Sequence, residues 1–74
     1  MKIIFSQHAL FEIGRRDLTE EMIKDAVDSP GQNWEIRDGR YLYQKRIAMG
    51  KPEKPYLVRV IADIQSGQIN IVTA

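Results

Sequence analysis

His8–Val27 reads HALFEIGRRDLTEEMIKDAV, and the reading of this stretch decides the fold. It parses as two short helices that meet at the basic corner Arg15-Arg16. Ser6, just upstream, is a natural N-cap, because its hydroxyl reaches a free N–H of the first helical turn. The first helix is expected from Gln7 to about Arg15, with Leu10, Phe11 and Ile13 on its apolar face and Gln7, Glu12 and Arg15 pointing elsewhere. Gly14 loosens its last turn, and Leu18 falls in the corner as a core plug. Thr19 caps the second helix, and Glu20 and Glu21 complement the positive end of its dipole. That helix is expected from Glu20 to about Asp28, with a stripe of Met22, Ile23, Ala26 and Val27. Ser29-Pro30-Gly31 stops it. Isolated helices this short do not persist in water, so the pair needs a sheet to lie on.

The rest of the chain supplies that sheet. Lys2–Phe5 is a short apolar strand, and Trp34–Arg37 a second. Asp38-Gly39 is a tight-turn signal, since glycine accepts the positive φ such turns need. Arg40–Ala48 returns as a longer strand, and the polar segment Met49–Pro55 follows as a loop. Tyr56–Ile64, YLVRVIADI, is the most β-prone segment, and its two largely apolar faces predict a central position. Gln65-Ser66-Gly67 turns the chain into a last strand, Gln68–Ala74. The order β-α-α-β-β-β-β with short turns predicts an α+β fold: two N-terminal helices packed on one face of a four- to five-stranded antiparallel sheet. Strand parity groups Tyr41, Tyr43 and Lys45 on one face and Leu42, Gln44 and Arg46 on the other. Parity alone does not say which set meets the helices. It leaves some of Arg37, Lys45, Arg46 and Arg59 for the uncovered face.

Seventy-four residues without repeats or low-complexity tracts make one domain, 1–74. The chain stops inside a strand pattern, which leaves room for a truncated C-terminal end. With no cysteine and a single histidine, no disulfide and no Cys/His metal cluster are expected, and no cofactor motif is present. Eleven basic and ten acidic residues balance to a net charge of +1, so bulk charge does not mark a nucleic-acid binder. MKIIF is too short for a signal segment and no apolar run approaches a membrane span. The expected location is cytoplasmic, with no membrane association.

His8-Ala9, Arg16 eight residues after the histidine, the apolar Leu18, Pro30, and strands like YLYQKR, LVRVIAD and IVTA together resemble a family of small bacterial domains. That family carries a His-Ala-x-x-Arg-x-x-x-Arg-Gly-Ile pattern on its first helix and is placed near the RelE/ParE-like and BrnT-like toxins. The resemblance covers nearly the whole chain. It implies a RelE-like fold, membership in a toxin–antitoxin pair with an antitoxin protein and RNA as partners, and metal-independent RNA cleavage; ParE-like members act on gyrase instead. The chain departs from the pattern twice, with Glu12 at the first arginine and Asp17 at the glycine.

Metal-free RNA cleavage needs a base for the ribose 2′-OH, a cation for the charge growing on phosphate, and an acid for the leaving oxygen. Imidazole titrates near neutrality, which suits His8 to either proton role. Arg16 and Arg59 complete the expected catalytic set, and Arg46 joins them as a fork-shaped phosphate clamp. Lys45 and Tyr43 are expected to bind substrate, Tyr43 (or Tyr41) by stacking on a base. Glu12, one turn after His8, is a further candidate base. Each has a bland alternative. His8 serves as a cap or packing residue, Arg15 and Arg16 complement a helix dipole, and Lys45 and Arg46 form a solvated strand face. The corresponding alternative function is a non-catalytic protein-interaction domain on the same fold. Clustered cations beside His8 favour the enzyme, and dispersed ones the binding domain.

Overall fold

A computed structural model describes residues 2–74. The elements are β1 (Lys2–Phe5), α1 (Gln7–Arg15), α2 (Glu20–Asp28), β2 (Gln32–Arg37), β3 (Arg40–Met49), β4 (Lys54–Gln65) and β5 (Gln68–Thr73). Both expected helices are present, and both expected caps act. Ser6 accepts a hydrogen bond from the Ala9 N–H, and Thr19 accepts one from the Met22 N–H.

Helix α1 ends in a closed cap. The Leu18 N–H donates to the Ile13 carbonyl at 2.9 Å and the Asp17 N–H to the Gly14 carbonyl at 3.2 Å. These are the two bonds of a Schellman motif, which places its turning residue in the left-handed region. That residue is Asp17, at φ 56°. The cap swings Leu18 back against the core and sets the angle between the helices.

The strands form one sheet in the order β1-β5-β4-β3-β2, with β4 in the centre as its two apolar faces predicted. The sheet is mixed, which corrects the all-antiparallel expectation. β2–β3, β3–β4 and β4–β5 are antiparallel, but β1 runs parallel to β5. The reason is connectivity. The whole helical layer separates β1 from the other strands, so no short turn forces β1 to reverse against its neighbour.

The helices cover one face, α2 over β3 and β4 and α1 over β5. Ile23, Ala26 and Val27 of α2 and Ala9 and Ile13 of α1 meet Tyr43, Val58, Val60, Ala62, Ile69 and Ile71 of the sheet. Tyr41, Tyr43 and Lys45 are therefore the set that faces the helices, and Lys45 donates to Asp25 of α2 at 2.8 Å. Leu42, Gln44 and Arg46 lie on the uncovered face.

Helix α1 is rotated from its expected phase. Leu10 and Phe11 are exposed, Phe11 at 65%, while Ala9, Glu12 and Ile13 turn inward. The inward arc contains one alanine and one glutamate, so side-chain hydrophobicity alone pointed to the wrong side. Ala9, wholly buried, has no bulk to hold the helix off the sheet.

Candidate functional site: the uncovered sheet face and the notch beside β4

Four rows of side chains cross the uncovered face. Arg40 and Asp63 are direct cross-strand neighbours joined by a fork of two bonds at 2.7 and 2.8 Å. The next row is apolar, with Trp34 opposite Leu42, Leu42 opposite Ile61, and Ile61 opposite Thr73. In the third row Gln32 lies opposite Gln44 and Gln44 opposite Arg59. There the Gln44 side-chain amide donates to Gln32, and Arg59 Nε donates to Gln44 Oε1 at 3.2 Å. Arg46 and Leu57 are neighbours beyond them. Trp34 and Leu57 are each about half exposed, at 48% and 49%. The face thus mixes large apolar groups with guanidinium groups, the composition enriched in protein-binding surfaces.

The arginine fork has an electrostatic consequence. The Arg40 guanidinium hydrogen-bonds Asp63 and holds its carboxyl below the ordinary range, with a further pull from the charges of Arg40 and Arg37. Asp63 is therefore ionised and matched, and subtracts little from the cationic character of Arg46 and Arg59.

Beside this face the sheet has a notch. β4 pairs with β3 from Lys54 to Asp63 but with β5 only from Ile61 to Gln65. Among the described residues, 54–60 of β4 have a strand on one side only. A cavity of about 440 Å³ adjoins this stretch and extends onto the open face, with Arg16, Leu18, Leu42, Leu57, Arg59 and Ala74 among its lining residues. Arg16 reaches it from the end of α1 and Arg59 from β4. These two expected catalytic arginines are thus brought to one place.

The other expected residues lie apart. His8 is exposed in the first turn of α1, in the helical layer, and does not line the notch. Lys45 is on the helix side of β3 and engaged by Asp25. Tyr43 is buried under the helices, where loss of solvation pushes its phenol pKa up, with a smaller rise from Tyr41. Its ring lies against Tyr41 with centroids 6.3 Å apart, and burial in the core leaves it closed to a base. Arg46 is exposed on the open face, beside Gln32, Gln44 and Leu57. The six residues expected to form one centre are thus divided between two sides of the sheet.

Glu12 has a different part from that of a free base. Arg15 Nη2 donates to its Oε2 at 2.8 Å and Arg16 Nε donates to the same oxygen at 3.2 Å. The hydrogen bond from Arg15 is the main cause of a carboxyl pKa below the ordinary range; desolvation opposes it, and the Arg15 charge and Arg16 add to the lowering. One carboxylate thus holds both arginines of the corner. Leu57, Ile61 and the two glutamines, Gln32 and Gln44, that lie in a row with Arg59 were not singled out from sequence. The period-2 pattern of β3 and β4 carried the signal, but assigning it to a face required knowing where the helices lie.

Among the described residues no three metal-ligating side chains come together, and no helix is long and apolar enough to cross a membrane. No protein-family model, curated protein or solved structure matches the chain.

Proposed function

We propose that this domain is a non-catalytic protein-interaction module. It binds its partner on the uncovered face of the sheet, through Trp34, Leu42, Leu57 and Ile61 with Arg46 and Arg59 supplying charge. The observation that carries the reading is the Glu12 clamp on Arg15 and Arg16. A carboxylate between two guanidinium groups reduces the charge of that corner to a net +1 and competes with any phosphate for the same donors. The imidazole of His8 stands in the helical layer and does not line the notch, and Asp63, the carboxylate on the open face, is held by Arg40. Intracellular placement goes with this reading.

The two departures from the RelE-like pattern support it differently. Asp17 stands at the pattern's glycine, and its φ of 56° gives that glycine a backbone role, the turning point of a helix cap. Replacing it costs stability but no chemistry. Glu12, at the pattern's arginine, reverses a charge where a phosphate would bind. The domain is then a RelE-like scaffold that has kept its framework and lost its anion site.

A toxin-like ribonuclease is the second reading. It is favoured by the meeting of Arg16 and Arg59 at one notch. In it the two arginines hold the phosphate, His8 acts from the adjoining helix, and an antitoxin covers the groove.

Photo-crosslinking in bacterial cells tests the first reading. A benzophenone side chain at position 34 is expected to give one discrete protein adduct, and the same group at position 53, in the β3–β4 loop, is expected to give none. Equal labelling from both positions overturns it.

A further inference from the structure

We propose that two copies of this chain pair through the outer edge of β2, antiparallel and with Trp34 opposite Trp34, to make one continuous sheet. The inference goes beyond the binding reading, since it needs no second protein. β2 is an internal strand, reached from α2 and left through the Asp38-Gly39 turn, and it stands at the sheet edge opposite β1 and β5. It buries none of its six side chains, although two of them are Trp34 and Ile36. Sheet edges are ordinarily blunted with lysine, proline or a bulge. Gln32–Glu35 contains neither lysine nor proline and keeps an unbroken register with β3, the bulge coming after Glu35. This stretch is thus a regular strand edge with an aromatic side chain at its middle.

Backbone direction sets the register and selects a second copy as the occupant. The Gln44 carbonyl accepts from the Gly31 N–H at 2.9 Å, so Gln44 bonds toward β2. Successive residues of an antiparallel ladder bond to opposite sides. Gln44 and Leu42 therefore bond to Gln32 and Trp34, their direct neighbours, and the N–H and C=O groups of Asn33 and Glu35 point outward. A two-fold axis perpendicular to the sheet keeps the same face up in both copies, so a residue on the axis meets its twin. With Trp34 on the axis, Asn33 of each copy faces Glu35 of the other. Both bond outward, so each such pair exchanges two backbone bonds and the outward groups of both residues are matched. The Trp34 pair is then of the non-bonded kind, in which side chains come closest, and cross-strand aromatic pairs stabilise a sheet. On the other face the Asn33 amide is placed to donate to the Glu35 carboxylate, which also accepts from its own Gly39 N–H at 3.1 Å. An axis at Glu35 opposes two carboxylates and meets the bulge. An axis at Asn33 sets Glu35 opposite Gly31, whose N–H is already donated to Gln44. In the Trp34 register the apolar row Ile61–Leu42–Trp34 runs on unbroken into the second copy.

The test is sedimentation of the purified chain over a concentration series, with backbone amides followed by NMR across the same range. The wild type is expected to pass from monomer to dimer as concentration rises. The Asn33 and Glu35 amides gain protection from exchange in step with it, and those of Gln32 and Trp34 are protected throughout. Asn33→Pro removes an outward donor from each copy without touching the β3 ladder, and Trp34→Lys sets two ammonium groups against each other on the axis. Each is expected to weaken the dimer about tenfold or more, with the remaining amide spectrum intact. Disulfide trapping reads the register, because the chain has no cysteine of its own. Trp34→Cys is expected to link two copies faster than Asn33→Cys or Glu35→Cys, since only a residue on the axis meets its twin within disulfide reach. The inference is overturned if the wild type stays monomeric to millimolar concentration, if Asn33→Pro dimerises as well as the wild type, or if trapping is equal at the three positions. A monomer leaves the binding reading standing, and mass mapping of the position-34 crosslink tells a second copy from another protein.

Discussion

Helix α1 presents a sharp test, because two side chains two positions apart are assigned opposite environments. Ile13 is 5% exposed and packed in the core, and Phe11 is 65% exposed. Truncating a buried isoleucine to alanine removes transfer free energy and leaves a cavity, together ~2–5 kcal/mol. A domain of this length has a total stability of about 4–11 kcal/mol by the usual per-residue range. Ile13→Ala therefore takes away a large fraction of it. At ~3 kcal/mol the melting temperature falls by roughly 12–24 °C, using the scaling for domains of this size. Phe11→Ala removes a larger side chain from solvent-facing surface, and its effect stays within about 0.5 kcal/mol, a shift under roughly 4 °C. Thermal unfolding followed by circular dichroism at two wavelengths, with reversibility checked, reads both. If Phe11→Ala lowers the midpoint as much as Ile13→Ala, α1 is rotated to the phase its hydrophobicity suggests, and the inward position of Glu12 falls with it.

Further outcomes follow from the backbone and the charges. Asp17→Gly relieves a left-handed residue in the α1 cap and should raise stability by about 0.5–1 kcal/mol in urea unfolding. Gly39→Ala should lower it by about 1 kcal/mol or more, because Gly39 sits at φ 75° with its missing Cβ position 3.5 Å from the Ile64 carbonyl oxygen. The carboxyls of Glu12 and Asp63 are both depressed in the fold, so their contribution is complete above the ordinary carboxylate range and is lost as pH falls through the folded values. Urea midpoints should drop below about pH 4, and the Glu12→Gln, Asp63→Asn double variant should show a flatter acid limb than the wild type. Asp25→Asn breaks only a half-exposed pair with Lys45 and should cost at most about 1 kcal/mol.

The framework was legible where local chemistry determines it. Ser6 and Thr19 mark the helix starts, Ser29-Pro30-Gly31 an end, and Asp38-Gly39 a turn, because caps and turns depend on a few neighbouring residues. The central place of β4 was legible from its two apolar faces. Three features were not. The parallel pairing of β1 is a long-range choice with no local signal. The phase of α1 was hidden by Ala9, whose value lies in being small at a close contact, and by Glu12, whose inward position makes sense only once Arg15 and Arg16 fold back onto it. The division of the expected site also needed the fold. Parity left open whether Tyr43 and Lys45 or Arg46 meets the helices; α2 packs on β3 on the Tyr43 and Lys45 side, while Arg46 and Arg59, on the other face, stay open.

Growth and total RNA on induced expression in bacterial cells test the central claim most directly, with the wild type beside the His8→Ala, Arg16→Ala double variant and folding verified for both. An interaction module whose corner arginines are held by Glu12 leaves growth and RNA unchanged in both cases. RNA degradation and growth arrest by the wild type, absent from the folded double variant, would contradict the account and give His8 and Arg16 the catalytic roles of the ribonuclease reading.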